Sequence, residues 1–462
     1  MVVVMKFGGT SVGNGELLVN VAKLVATQKG KKVVVVSAMS GVTDKLINIA
    51  KSVVDLPNSV VEREVDNFCR ELKLQQQKAI MVAVIDKKLR GEILAQSFEL
   101  IERLRVALLG VGYLEDLSLR SLDYIESFGE RLNILVMSGA LNSIGVPSVP
   151  LTGYEAGLIT DSSFGRARPL HGKSAKAVKE QLGKLLNKYT PVVAGFIAGD
   201  EKARITTLGR GGSDYTASLI GRYLGTDEVQ IWTDVDGILT TDPKLVAGAK
   251  LIPEMSYSEA MDLAYFGAKV IHSKMIEPAM VSNIPVRVLN TFNPKSKGTL
   301  IVRKQKKVEH VIKAVAVAKN IVIVNLEGVG MMETPNIAGK TFSTLGDANI
   351  NILMISGSSE SNLSFVLAES DLDRALEMLG NAFSDSVMKA ISVIRDVNIV
   401  TVVGAGMRGT KGIAAKVFTT VAEAGANIIM IAQGSSELNI SFVIEAKDVG
   451  KVVAAVHDRF IK

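Results

Sequence analysis

Near its C-terminal end the chain repeats itself. Met354–Val366 (MISGSSESNLSFV) returns as Ile431–Val443 (IAQGSSELNISFV), and the stretch ahead of each also matches, GKTFSTLGDANI beside AAKVFTTVAEAGANI. The offset, about 77 residues, is too long for a solenoid repeat and suits a small domain present twice. Each copy reads strand, helix, strand, strand, helix. The first runs on into a fourth strand over Ser386–Arg395, the second ends on its helix, and a spare strand, Ile312–Lys319, stands ahead of both. That strand is expected to complete the second copy's sheet. The first module (321–395) is then inserted within the second (312–319 plus 396–462).

The preceding 300 residues follow another pattern. Val2–Phe7, Lys32–Ser37 (KVVVVS), Pro191–Ile197 (PVVAGFI) and Val229–Thr233 (VQIWT) are continuous apolar runs. Over Gly15–Lys29, Leu17, Leu18, Val21, Leu24 and Val25 fall at helical spacing. Unbroken apolar strands separated by helices indicate a mostly parallel sheet sandwiched by helices, an α/β domain over residues 1–300. From about residue 58 to 127 strand signals give way to charged helical periodicity, as in FELIERLRVALLG. The turn residues and basic run between Asn293 and His310 mark a boundary, with 301–311 as a solvated linker.

Composition narrows the function classes. The formal net charge of +6 is spread over 53 basic and 47 acidic side chains, too diffuse for a nucleic-acid footprint. A single cysteine excludes an intramolecular disulfide, and no Cys/His spacing suits zinc, so no resident metal site is expected. No apolar run reaches membrane-spanning length, and the apolar start, Met1–Met5, is too short for a signal peptide. A cytoplasmic protein is the expectation.

Three motifs carry chemistry. In Lys6-Phe7-Gly8-Gly9-Thr10-Ser11 a lysine leaves a buried strand, and two glycines precede a helix. The glycines permit close backbone approach, and the helix start offers N–H groups, so the element reads either as a phosphate site or as a plain strand-to-helix turn. In Thr207–Asp214 (TLGRGGSD), Ser213 or Asp214 can cap the helix that follows. Arg210 can hold a carboxylate bidentately, and Asp214 can position a lysine or help organise Mg²⁺-ATP. In Trp232–Ile238 (WTDVDGI), followed by Thr240–Lys244 (TTDPK), a strand ends in a polar loop. Such loops lie at the sheet edge where open α/β sheets bind ligands.

Together these residues resemble the amino acid kinase family, and among its members the aspartate kinases most closely. Ser37–Thr43 (SAMSGVT) looks like that family's second glycine loop and Ser127–Glu130 (SFGE) like its substrate-glutamate motif. Phe164-Gly165-Arg166 and Phe266–Val270 (FGAKV) also fall in the family's order. The repeated tail is similar to tandem ACT domains, βαββαβ (α+β) modules that bind amino acids.

The resemblance implies transfer of the ATP γ-phosphoryl group to the β-carboxylate of L-aspartate, giving 4-phospho-L-aspartate, the first step toward lysine, threonine and methionine. It implies Lys6 at the transferring phosphate, held by Asp214, with Gly8, Gly9 and Ser11 about the phosphates. Thr233, Asp234, Lys244, Lys269 and Val270 would line the nucleotide site. Ser37, Thr43, Glu130, Arg210 and Ser213 would bind substrate, Glu130 and Thr43 at the ammonium and Arg210 at the α-carboxylate. ATP and Mg²⁺ are the implied cofactors. Where members often carry a tyrosine near adenine, this chain has Leu239.

The tail implies feedback by an amino acid, with Gly330, Met331, Asn351, Ile352, Ser358, Ser359 and Glu360 as effector contacts, and a homo-oligomer (dimer or dimer of dimers) joined through the modules. Lysine-responsive members tend to carry an acid near the end of the strand that here reads Asn349–Leu353 (NINIL). None is present, which favours threonine over lysine. Kinases acting on glutamate, acetylglutamate, carbamate or a nucleotide, and a silent amino-acid sensor, are the alternatives. Gly404–Gly409 (GAGMRG) mimics a dinucleotide fingerprint, but the next strand brings no acid for a ribose; a tight turn is expected.

Overall fold

Val3, Val4, Met5, Phe7 and Val33–Val36 lose essentially all contact with solvent. Strands can bury both faces only inside a layered sheet, and β1 (Val2–Phe7) and β2 (Lys31–Val36) lie at its centre. Each such side chain contributes about 1.5–3 kcal/mol by leaving water. In the computed structural model, which describes residues 1–267, 270–305, 311–327, 337–359, 362–383 and 390–461, helix α1 (Gly15–Thr27) makes the crossover between these strands. The Asn14 side chain caps it on the Leu17 amide.

After α2 (Val42–Ser52) the charged periodic stretch forms α3 (Asn58–Ala83), α4 (Lys87–Leu114) and α5 (Leu119–Glu126), and α6 (Phe128–Ser143) follows. Next come β3 (Ser148–Leu151), β4 (Ile159–Thr160), α7 (His171–Leu185), β5 (Thr190–Ala194), β6 (Ile197–Asp200) and β7 (Ile205–Thr207). Then come α8 (Gly212–Leu224), β8 (Glu228–Thr233), β9 (Glu254–Ser256), α9 (Tyr257–Tyr265), α10 (Ser273–Ser282), β10 (Val286–Asn290) and β11 (Thr299–Val302).

The main sheet runs β3-β5-β2-β1-β8-β10-β11-β9, and every neighbouring pair from β3 to β10 is parallel. The chain leaves β1 toward β2 on one side and later adds β8 on the other, so β1 stands at a topological switch point. Phe7 pairs with Val36 and with Trp232, so β1, β2 and β8 end level.

Pro191–Ile197, expected as one strand, is broken. After Ala194 the Gly195 N–H still reaches Val36 O (2.9 Å), but Phe196 turns at φ 66° and Ile197 opens β6 in a small sheet with β4 and β7. The chain passes between two buried sheets, so its apolar run never lapses.

A second compact unit gathers Leu239–Ile252, Ser258–Lys269 and Gln305–Lys462; the rest of the chain forms the first. Its elements in the tail are β12 (Ala314–Glu327), α11 (Ile337–Asp347), β13 (Ile352–Ser359), β14 (Asn362–Ala368), α12 (Leu372–Ala382), β15 (Ala390–Val403), α13 (Ile413–Glu423), β16 (Met430–Ala432), β17 (Asn439–Glu445) and α14 (Val449–Phe460). The sheet order is β13-β14-β12-β15-β17-β16. Ala314–Ala318 pairs with Ile399–Val403, whereas Ile321–Glu327 pairs with β14 and with the start of β15.

The spare strand is thus the first half of a continuous 14-residue strand; of the strand expected at Ser386–Arg395, residues 386–389 lie outside the described residues, and the rest begins another 14-residue strand that runs on to Val403. Both change over at a left-handed residue, Asn320 and Asp396, each with φ 56°. Alternate residues separate the cores. Val322, Val324 and Leu326 face α11 and α12, Val400 and Val402 face α13 and α14, and Ile321, Ile323, Val397 and Ile399 share a third cluster on the opposite face.

Helix α9 holds this unit along one side. Glu259 Oε1 accepts the Ala405 N–H (2.7 Å), Asp262 Oδ2 accepts from Asn439 Nδ2 (3.0 Å), and the Tyr265 hydroxyl donates to Ile352 O (2.9 Å). The three-residue spacing puts all three side chains on one helical face. Among the described residues no helix is long and apolar enough to cross a membrane.

Candidate active site

Lys6 sits on the penultimate position of β1, 9% exposed, between two parallel neighbours. Its Nζ lies 2.6 Å from Asp214 Oδ1, an ion pair. Asp214 occupies the first turn of α8, where the helix dipole favours a carboxylate. That helix starts on Gly211 at φ 71°, and a side chain there would strike the His272 ring at 2.4 Å. Gly8 donates its N–H to Trp232 O (3.3 Å), so that amide is engaged with the neighbouring strand. A Cβ on Gly9 would lie 3.2 Å from Ala38 O, so the two glycine-bearing loops pass close together. Ser11 Oγ is buried against Thr291 Oγ1 (2.7 Å).

Glu130, in the first turn of α6, is 3% exposed. Its Oε1 accepts the Ala38 N–H (3.1 Å), and Oε2 is buried with no partner among the described residues. Burial pushes its pKa up to about 8, against the pull of the Ala38 N–H and the Lys6 charge. One turn earlier, burial and the Asp123 charge push Glu126 up to about 7. One turn later Asn133 Nδ2 donates to Ser37 O (2.6 Å), fixing the loop that carries Ser37 to Thr43. Thr43 opens α2, half-buried, and Ser213 opens α8 against Gly195. Arg210 is exposed with no ion pair among the described residues, so its guanidinium fork is available to an anion.

Asp234 is exposed at the end of β8 and accepts from Thr233 Oγ1 (3.0 Å). Lys244 is exposed and belongs to Leu239–Ile252 in the second unit, where Leu239 bridges to Leu251. Val270 is half-buried; Lys269 lies outside the described residues. Of the effector set, Gly330, Met331 and Glu360 also lie outside them, Asn351 and Ile352 lead into β13, and Ser358 and Ser359 close it. Gly404–Gly409 forms a short turn ahead of α13, as expected.

Two positioning carboxylates escaped the sequence reading. Asp123, 1% exposed, accepts from Gly165 N (2.9 and 3.0 Å), Thr207 N (3.0 Å) and Thr207 Oγ1 (2.7 Å), pinning the Phe164–Arg166 turn and the start of the Arg210 loop. Asp236 Oδ1 accepts from Asn290 Nδ2 (2.8 Å) and Asn293 Nδ2 (3.0 Å), fixing the loop after β8. A signal for the first existed: Asp123, Glu126 and Glu130 recur at helical spacing among apolar residues.

Among the described residues no group of three or more His, Cys, Asp or Glu is arranged to hold a metal. Mg²⁺ in phosphoryl transfer is commonly held by one or two carboxylates plus substrate phosphates, and Asp234 at the strand end fits that donor set.

Residues 1–290 match the model of the amino acid kinase family, and residues 324–383 and 400–460 each match that of the ACT domain. The chain is 34% identical to aspartokinase 3, chloroplastic, of Arabidopsis thaliana, over 99% of this chain and 81% of the relative. It is 33% identical to the bifunctional aspartokinase/homoserine dehydrogenase of Haemophilus influenzae, over 98% of this chain and 56% of that one. Its fold superimposes on E. coli aspartokinase III in complex with aspartate and ADP (R-state) with a TM-score of 0.85, 29% identity and full coverage of both chains. For the same enzyme with lysine and aspartate (T-state) the TM-score is 0.82, again at 29% identity and full coverage of both.

Proposed function

This chain belongs to the amino acid kinase family, and from that premise we propose that it is an aspartate kinase, transferring the γ-phosphoryl group of ATP to the β-carboxylate of L-aspartate to give 4-phospho-L-aspartate and ADP. The observation that carries the reading is a buried cation beside a buried, incompletely bonded carboxylate. Lys6 is held at the strand end by Asp214, and Glu130 keeps one oxygen without a partner among the described residues. Phosphoryl transfer needs mainly positioning and charge neutralisation.

Lys6 meets the charge on the transferring phosphate, while Gly9 and the turn to Ser11 cradle its neighbours. Glu130, with Thr43, receives the substrate ammonium, and Arg210 receives the α-carboxylate. Mg²⁺, when bound with the nucleotide, neutralises phosphate charge, with Asp234 as its protein ligand. Thr233, Lys244, Lys269 and Val270 serve the nucleotide. An ADP-release assay across aspartate, glutamate and acetylglutamate tests the acceptor. Turnover with aspartate alone is expected, and turnover with glutamate or acetylglutamate but not aspartate would reject the reading.

The two ACT modules take the boundaries 321–395 and 312–319 plus 396–462. Asn349–Leu353 carries no acid for a lysine side chain, and we assign threonine as the effector on that ground. The E. coli relative with lysine makes the alternative specific. Inhibition titrations with each amino acid decide between them, and tight inhibition by lysine with no response to threonine rejects the assignment. The tail sheet leaves β13 and β16 as edge strands, which favours a homo-oligomer joined through the modules.

A further inference from the structure

The stretch Leu239–Ile252 carries Thr240-Thr241-Asp242-Pro243-Lys244 and packs as part of the second unit. Thr240, 6% exposed, is its fixed point. Its N–H donates to Lys250 O (2.8 Å), and the Lys250 N–H donates back to Thr240 Oγ1 (2.9 Å), closing the stretch on itself. The Val315 N–H on β12 donates to Thr240 O (2.8 Å). Thr240 Oγ1 and Nε2 of His457, on α14, lie 2.9 Å apart in the interior. Leu245 and Val246 pack on the core beneath α13 and α14.

Oγ1 can donate its hydrogen to Nε2 while it accepts from Lys250, the arrangement in which the ring proton sits on Nδ1. Burial lowers the His457 pKa, which favours the neutral ring this bond requires. The module's own fold does not call for this histidine. About 77 residues earlier, at the matching place on α12, the first copy has Gly380, where a side chain would meet nothing within 4 Å. His457 is itself 3% exposed, and its Nδ1 is buried without a partner among the described residues. A residue that leaves a polar atom orphaned and is absent from the sister copy serves something outside the module.

We propose that His457 is a positioning residue that acts through Lys244: the last helix of the second copy holds the Thr240–Lys250 stretch, and with it the Lys244 backbone, in one conformation. This rests on Lys244 serving the nucleotide, as given above. Two readouts on the full chain separate the claims. In His457→Ala, hydrogen exchange at amides of Thr240–Lys250 is expected to quicken, and KM for ATP to rise about tenfold, with kcat and KM for aspartate within about twofold. His457→Gln, whose side-chain oxygen can accept the Thr240 hydrogen, should restore most of the ATP affinity. Thr240→Val, which keeps shape and loses the hydroxyl, should reproduce the split even if the alanine variant folds poorly. Unchanged exchange in both His457→Ala and Thr240→Val overturns the inference. Faster exchange with unchanged KM for ATP shows that the stretch is held but that Lys244 is not a nucleotide ligand. A parallel loss of kcat and both KM values, unrelieved by glutamine, reduces His457 to a structural residue and overturns the proposal.

Discussion

Lys6–Asp214 in the first unit and Lys313–Glu259 in the second are the same chemical pair, a lysine and a carboxylate taken out of water, and they are completed differently. Glu259 is wholly buried and fully engaged: Ala405 N–H on one oxygen, the Gln305 amide and Lys313 Nζ (3.4 Å) on the other. Lys313 also meets the Gln305 side chain. Around Lys6 the protein stops short. Among the described residues its only ion pair is with Asp214, and Glu130 keeps an oxygen with no hydrogen-bond partner. Desolvating a charge costs several kcal/mol unless hydrogen bonds replace the lost water. Where protein groups supply all of them, the pair is architecture; where they do not, the shortfall has the shape of a ligand.

Four substitutions test that contrast. Lys6→Met should lower kcat on the order of 10³–10⁵-fold with the melting temperature little changed; activity within tenfold of wild type would make this pair architectural too. Glu259→Gln should remove the charge that Lys313 meets and lower stability by about 3–5 kcal/mol in urea unfolding, and replacing both residues by apolar ones of similar size should recover most of the loss. A Glu259→Gln protein as stable as wild type would remove the distinction. Glu130→Gln should reduce kcat/KM for aspartate by about 100-fold.

The pH dependence follows from the same carboxyl. Its pKa is raised to about 8, so below that pH it holds a proton and cannot pair with an ammonium. Wild-type kcat/KM for aspartate should therefore climb as pH rises through about 8, and the glutamine variant should lack that climb. The smallest effect belongs to Tyr265→Phe, which removes the bond to Ile352 O. It should weaken the unit by about 0.5–1.5 kcal/mol and shift the effector midpoint while basal kcat stays within about twofold. An unmoved midpoint would sever α9 from effector sensing.

The lysine at a buried strand end, the duplicated tail and the layered sheet could all be read from the chain, because each rests on local pattern: apolar continuity, glycine placement, a recurring string. Asp123 left only its helical spacing with Glu126 and Glu130 as a trace, and Asp236 none, since their partners are backbone and amide groups brought near only by the fold. The membership of Leu239–Ile252 was hidden for the same reason. Thr240 sits in an ordinary polar loop, and its partner His457 lies 217 residues away. Pro191–Ile197 misled in the opposite sense, because burial persists while the chain changes sheets.

The two long strands β12 and β15 bear on how such a chain can change over evolutionary time. Residues 399–403 cover Ala314–Ala318 through backbone ladder bonds, and β14 covers the other half of β12. Deleting everything after Asp396 would strip the second copy yet leave five of its ladder partners stranded at the edge of the first; deleting the first would cut both strands in the middle. Neither module can be shed alone without exposing an open edge. A lineage that inherits this tail is held to altering it residue by residue, as the exchange of Gly380 for His457 between the two copies already illustrates.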